Sequence, residues 1–260
     1  MTKLNRRSFL AAGSALFGTA LTGHAVASPV TTSKWDMTTD IVIIGAGSAG
    51  LAAAAQAGIL GLKCIVLEKE PVIGGSSAVC GGKWAVSGSE LQLKQGIKDS
   101  PELHAEQTLK GGDGRANPEL VKRMTANSYD AIQWLQGMGM KFKDEVYQIY
   151  GGLYPRCHAP FGSLGSDYIK VLLPQCEKYG VQIKLNSRVV RLLREEQLSG
   201  RVLGAEYVDA NGKHLTVRAK KAVVVATGGF GANPEMRAKY DPRMRNLTTT
   251  NLPCSTGDLI

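Results

Sequence analysis

Residues 40–82 read DIVIIGAGSAGLAAAAQAGILGLKCIVLEKEPVIGGSSAVCGG, and their order decides the fold. Residues 40–44 form an apolar, largely β-branched run, the pattern of a strand buried on both faces. Gly45-Ala46-Gly47-Ser48-Ala49-Gly50 follows as a G-x-G-x-x-G turn. The Ala-rich residues 51–59 favour a helix. Residues 62–67 predict a second strand, ending in Glu68-Lys69-Glu70. Strand, glycine turn, helix, strand, acid is the order a dinucleotide site requires. Gly45 permits the tight turn, Gly47 lets the backbone approach a pyrophosphate, and Gly50 lets the helix pack close to the strand. The N–H groups that open the helix point at the phosphates, where the helix dipole favours negative charge. Glu68, 18 residues after Gly50, is placed to accept hydrogen bonds from ribose hydroxyls. The plain alternative is a βαβ turn that binds nothing.

Outward from this core, Gly74-Gly75-Ser76-Ser77 and Gly81-Gly82 put two Gly-Gly pairs within nine residues. The first pair follows the acid closely, which returns the backbone over the same ligand. Far downstream, residues 222–226 predict a short buried strand that runs into Thr227-Gly228-Gly229. Between these pieces, residues 92–110 and 118–138 predict two helices. The second has Leu120, Met124, Ile132 and Leu135 at helical spacing and Pro118 near its first turn. Residues 147–165, YQIYGGLYPRCHAPFGSLG, are aromatic, glycine-rich and irregular. They could border a substrate cavity, with packing or surface roles favoured for Arg156 and His158. A helix is predicted over 166–179, strands over 181–185 and 187–193, and a hairpin over 201–219 about Asn211-Gly212.

The 260 residues carry 31 Lys and Arg against 22 Asp and Glu, a net charge of +9. Without Lys3, Arg6 and Arg7 the excess is +6, and it is scattered with no run of five like charges. That argues against nucleic-acid binding and suits an anionic ligand. The five cysteines form no C-x-x-C pair and the four histidines show no metal-ligand spacing. No window is a comfortable membrane span. At the N-terminus, Asn5-Arg6-Arg7-Ser8-Phe9-Leu10 precedes a mildly apolar run, and Ala25-Val26-Ala27 gives a small-x-small pattern. This resembles a twin-arginine signal peptide over 1–27, cleaved after Ala27 and directing a folded protein to the periplasm. Residues 28–39 then read as a flexible linker and 40–260 as the domain that holds the dinucleotide site.

The ordered pieces IVIIGAGSAGLAAA, VLEKEPVIGGSS, Gly81-Gly82, TLKGG…NPELVK…IQWLQGMG and AVVVATGGFGANPEM resemble the flavoprotein family of fumarate reductase and succinate dehydrogenase. The likeness is strongest to the soluble periplasmic flavocytochrome c fumarate reductases and their urocanate-reductase relatives. It implies an α/β, Rossmann-like FAD-binding domain with a parallel sheet and a β-hairpin or meander insertion. It implies FAD as cofactor. It places Gly45, Gly47, Ser48, Ala49 and Gly50 at the pyrophosphate, and Glu68 and Lys69 at the adenosine ribose. Gly74, Gly75, Ser76, Ser77, Gly81 and Gly82 would serve the flavin side, with Gly82 also approaching substrate. Val189 would meet the adenine, Ala226, Thr227 and Gly228 would close over the cofactor, and Asp258 would join them. Ser76 stands where these enzymes often have Asn, and a hydroxyl can still hydrogen-bond. No histidine lies in 74–82, where membrane-bound relatives attach flavin, so the FAD is expected to be non-covalent.

The implied chemistry is hydride transfer between flavin N5 and a C=C bond of an unsaturated carboxylic acid or carbonyl compound such as fumarate or urocanate. A separate cytochrome or a quinol-linked partner would supply electrons. The resemblance also marks departures. Leu259 stands where T-G-D-G is expected, after Thr256-Gly257-Asp258. The family's capping domain, with its catalytic His and Arg residues, has no counterpart in these residues. The expectation is a C-terminally truncated or split product, for which no catalytic residue is named, and Arg156, Arg188 and Arg237 match no proton-donor motif. A non-catalytic FAD-binding remnant and a ketosteroid-dehydrogenase-like desaturase are the alternatives.

Overall fold

The computed structural model describes residues 26–29, 34–162, 164–196 and 199–260. Strand β1 spans Val26–Pro29 and β2 spans Met37–Ile44. Helix α1 (Ser48–Ile59) leads to β3 (Cys64–Leu67) and to the short helix α2 (Gly75–Val79). β2 and β3 pair in parallel, with Ile41 opposite Cys64 and Ile44 opposite Leu67. β3 and the last three residues of β2 are buried on both faces, which is why they read as unbroken apolar runs rather than as alternation.

A second layer follows. It holds β4 (Trp84–Ala85), α3 (Glu90–Lys94), α4 (Pro101–Gly111), α5 (Pro118–Ala126), α6 (Ser128–Gly137), β5 (Phe142–Tyr147) and β6 (Cys157–Pro160). The chain then returns through α7 (Ser166–Lys178) and β7 (Gln182–Lys184) to a meander of β8 (Arg188–Arg194), β9 (Val202–Val208) and β10 (His214–Val225), and ends past α8 (Pro234–Tyr240). The main sheet has seven strands in the order β1-β8-β9-β10-β2-β3-β7, and the second layer holds a three-stranded sheet in the order β4-β6-β5. α1 and α7 cover one face of the main sheet, where Leu51 and Leu172 meet Ile43 and Val66. Each such fully buried side chain contributes about 1.5–3 kcal/mol. On the other face, Val189, Tyr207 and Val217 of the meander part of the sheet cluster with Val42, Ile44 and Leu67.

Four local expectations are corrected. The helix expected over 92–110 is two helices, α3 and α4, because Gly96 takes φ +71 and Pro101 begins a new helix capped by the Ser100 hydroxyl. The helix expected over 118–138 also divides, at Asn127, into α5 and α6. As a result Leu120 and Met124 are exposed, and Val121 and Thr125 turn inward instead. The separate strands expected at 213–219 and 222–226 are one strand. β10 carries a bulge between Ala219 and Ala222 and pairs with β2 on both sides of it. Arg201 donates to the carbonyls of Lys220 and Lys221 at this irregularity. Finally, residues read as a flexible lead-in are docked: Asp36 accepts from the Thr216 amide at 2.8 Å, and Trp35 packs on Gly204. The signal-peptide expectation lies outside the described residues over 1–25, and β1 pairs in parallel with β8 from Val26 to Pro29.

The second layer is built around buried polar groups. Asp99 and Arg156 form a two-point ion pair, with both contacts at 2.7 Å. Burial raises the Asp99 carboxyl, but hydrogen bonds from Arg156 and Gln92 outweigh it, so Asp99 titrates below its ordinary 3.8. His158 hydrogen-bonds Ser89 at 2.9 Å, and His104 meets the Ser87 hydroxyl at 3.3 Å. Burial lowers both imidazoles below 6.5, and the Arg156 charge lowers His104 further. Arg156 and His158 are thus buried within this layer and bonded to its own groups.

Both imidazoles take up protons less readily in the folded chain than in the unfolded chain, which does so around pH 6.5. Their stabilising contribution is thus complete above that pH and is lost as pH falls, at up to about 1.4 kcal/mol per pH unit for each group. Asp99 adds a further loss below pH 3.8. Urea unfolding should show a midpoint that falls between pH 7 and pH 5. His104→Gln should flatten this slope; an unchanged slope would remove His104 as a cause.

Candidate cofactor cleft

β2, β3 and β10 end side by side, and a cleft of about 410 Å³ opens at their carboxyl ends. Open parallel sheets bind ligands at this end, where the chain turns leave room and backbone N–H groups face outward. Two backbone hydrogen bonds hold the strand ends together. The Gly45 amide donates to the Leu67 carbonyl at 2.8 Å, and the Ala226 amide donates to the Ile44 carbonyl at 2.8 Å. Gly45 takes φ +102, and a side chain there would overlap the Ala226 carbonyl. Only glycine satisfies both demands. Gly50 is the second forced position, since a methyl group on it would overlap the Gly45 carbonyl oxygen.

Helix α1 starts at the floor of the cleft, with Gly47 as its cap and no capping side chain of its own. The Ser48 amide donates to the Ser77 hydroxyl at 3.2 Å, tying α2 to this end. Glu68, 8% exposed, accepts from the Ala46 amide at 2.6 Å with one oxygen and from the Glu70 amide at 2.9 Å with the other. A carboxylate has about four acceptor sites, so its remaining lone pairs can face a ligand in the cleft.

Of the residues expected at the site, Gly45, Gly47, Ser48, Ala49, Glu68, Lys69, Gly75, Ser76, Ser77, Val189, Ala226, Thr227, Gly228 and Asp258 line this one cleft. Gly50 and Gly74 lie beneath it; the Gly74 amide donates to the Ala46 carbonyl at 2.9 Å. Gly81 and Gly82 are not in the lining. Gly82 instead packs on residues 164–165, and a methyl group on it would come within 2.7 Å of the Gly165 amide. The Tyr168 hydroxyl donates to its carbonyl at 2.6 Å.

The lining also contains residues that sequence reasoning missed, chiefly Ser187, Asn251, Cys254, Ser255, Leu259 and Ile260. The last ten residues return over the cleft and are pinned there. Lys69 donates to Asp258 at 2.9 Å and to Thr256 at 2.7 Å. Arg188 approaches the other Asp258 oxygen at 3.6 Å. The Thr227 hydroxyl donates to the Asp258 carbonyl at 2.7 Å, and the Ser76 and Ser255 hydroxyls meet at 3.0 Å. Asp258 was the one signal for this return, and its small polar neighbours could have been read with it. Leu259 takes φ +68, and the Ile260 amide bonds the Gly257 carbonyl at 3.2 Å. This turn favours glycine at position 259, so leucine there sits in a strained backbone conformation.

A family model described as an FAD binding domain matches residues 40–260. The chain belongs to this FAD-binding family. It is 36% identical over 223 residues to a fumarate reductase (cytochrome) of Shewanella frigidimarina, covering 85% of this chain and 38% of that protein. It is 34% identical to a urocanate reductase of Eggerthella lenta, covering 93% of this chain and 42% of that one. Among solved structures, the open conformation of a flavocytochrome c3 fumarate reductase superposes with a TM-score of 0.80 at 33% identity, covering 86% of this chain and 39% of the other. The chain thus spans about two fifths of the length of each.

The cleft of this FAD-binding chain suits its cofactor. One wall offers the N–H groups of α1, another the Glu68 carboxylate, and Gly228 and Gly229 have open space where side chains would stand. Among the described residues no group of three or more His, Cys, Asp or Glu could hold a metal. No described helix is long and apolar enough to cross a membrane.

Gly50→Ala should force α1 away from the Gly45 carbonyl and lower stability by about 1–3 kcal/mol. Gly61→Ala places its methyl in open space but at φ +72, so its cost should be only the roughly 1 kcal/mol of backbone strain. Equal urea midpoints for the two variants would disprove the close-packing role of Gly50.

Proposed function

We propose that this chain binds FAD non-covalently, with the adenosine at Glu68 and Val189, the pyrophosphate at the N-terminus of α1 and the flavin end beside α2. It would serve an oxidoreductase that moves a hydride between the flavin and an activated C=C bond of an unsaturated carboxylic acid such as fumarate or urocanate. The observation that carries this reading is the convergence of the glycine turn, Glu68, α2 and Thr227-Gly228 on one cleft at the strand ends. The similarity to a fumarate reductase and a urocanate reductase supports the substrate class. The flavin, when bound, supplies the hydride chemistry.

The chain's own residues supply binding and orientation. The Ala46 and Glu70 amides orient Glu68, whose free lone pairs then accept from the ribose hydroxyls. The positive end of α1 meets the pyrophosphate charge. The turn at Asp258, held by Lys69, lines the same cleft as Glu68 and Val189. No histidine lines the cleft, consistent with a non-covalent cofactor. Electrons would come from a separate cytochrome or a quinol-linked partner. The twin-arginine pattern at Arg6 and Arg7 supports export to the periplasm after the cofactor is loaded. Cleavage after Ala27 would remove Val26 and Ala27 from β1; a mature N-terminus other than Ser28 by mass spectrometry would refute that position.

The purified chain should take up FAD and show a flavin absorbance band. Glu68→Ala should weaken FAD by about ten- to a hundredfold, as expected for losing charge-assisted hydrogen bonds. Fumarate, urocanate and a steroid enone should then be offered with reduced viologen as donor. Turnover of the acids and not the steroid supports this reading. A chain that binds no flavin is instead a remnant.

A further inference from the structure

We propose that Arg156 and Asp99 are positioning residues of the cofactor cleft: they hold β6 so that residues 164–165 form a fixed seat for α2. This rests on the FAD reading above and assigns a task to buried charges that the reading leaves idle.

Asp99 has no exposed side-chain surface, and Arg156 is 7% exposed. Both carboxylate oxygens face the guanidinium at 2.7 Å. The third guanidinium nitrogen donates to Gln107 at 2.6 Å. Gln92 donates to Asp99 at 3.0 Å and to the Pro155 carbonyl at 2.9 Å. The Arg156 carbonyl accepts from the Val86 amide at 3.0 Å and stands 2.9 Å from the His158 ring. A buried ion pair is a poor source of stability compared with apolar packing, yet its fixed geometry can specify one arrangement.

The arrangement it specifies leads to the cleft. β6 begins directly after Arg156 and pairs with β4, His158 opposite Trp84, and β4 begins two residues after Gly82, which packs on residues 164–165. The Gly165 amide donates to the Cys80 carbonyl at 2.8 Å, and a side chain on Gly165 would overlap the Ser77 carbonyl. α2 therefore rests its back on Gly165, while its front, Gly75, Ser76 and Ser77, lines the cleft. The adenosine and pyrophosphate end is held by other supports, namely α1, Glu68 and Val189 on the main sheet. α2 is also tied to α1 through Ser77 and Ser48, but its back rests on the second layer, so loosening the ion pair should disturb the flavin end more than the adenosine end.

ADP carries the adenosine and pyrophosphate without the flavin, so the ratio of FAD to ADP affinity reads the seat alone. The wild type, Arg156→Lys, and the double variant Asp99→Leu with Arg156→Met should be titrated with each ligand, with folding followed by circular dichroism. The Lys variant keeps the charge and loses the two-point geometry; the double variant replaces the pair by apolar groups. Both should keep ADP affinity within about twofold and lose FAD affinity by about tenfold, the usual result of loosening a supporting shell. Parallel losses of FAD and ADP, or no loss of FAD, would overturn the positioning role. A wild type that binds neither ligand would overturn the FAD reading and this proposal with it. Should the double variant fail to fold, the Lys variant reads the same ratio.

Discussion

The structure depends on the meeting of three strand ends at Gly45. Its amide is held by the end of β3 and its α-carbon lies against the carbonyl that follows β10. This fixes where α1 begins, because Gly50 must then pass within contact of the Gly45 carbonyl. It also fixes where Glu68 sits, one residue past β3, with the Ala46 amide in reach. The cleft is thus a consequence of backbone packing before any side chain contributes. The side chains then tune it: Glu68 by its acceptors, Ser77 by closing on α1, and Val189 by giving an apolar surface from the meander.

Two further layers bear on that junction. The C-terminal turn crosses the cleft and is held chiefly by charge, through Asp258 between Lys69 and Arg188. Contacts of this kind weaken with salt where they are exposed, but Asp258 is only 12% exposed and is screened less than a surface pair would be. The second layer is held by the Asp99–Arg156 pair and by two buried histidines. Its members are sealed from water and satisfied by hydrogen bonds, the condition under which buried polar networks rigidify a structure. The FAD-binding chain therefore joins an apolar main sheet, made by β-branched residues, to a polar module that carries α2.

The parts of the fold most legible in the sequence were those set by local pattern. β2, α1, β3 and the hairpin of β9 and β10 follow from apolar runs, glycine placement and Asn211-Gly212. The site was legible wherever a residue lay in or beside a glycine turn. Legibility failed where long-range packing overrode local period. Leu120 and Met124 have the right spacing to be core, but the break at Asn127 rotates their face outward. The strands at 213–219 and 222–226 look separate because Lys220 and Lys221 interrupt the apolar run; pairing with β2 on both sides of the bulge joins them. Gly81 and Gly82 read as cofactor residues because glycine pairs mark close approach. For Gly82 the structure shows such an approach, to Gly165.

The sequence by itself determined the βαβ unit, the acid at Glu68 and membership of the FAD-binding family, because these rest on steric rules that act over a few residues. Only the tertiary structure decided which distant segments share the cleft. The return of residues 251–260, the seat beneath α2 and the burial of Arg156 all require contacts between segments far apart in the chain. Such contacts depend on how whole elements stack, and no local period of hydrophobicity encodes that.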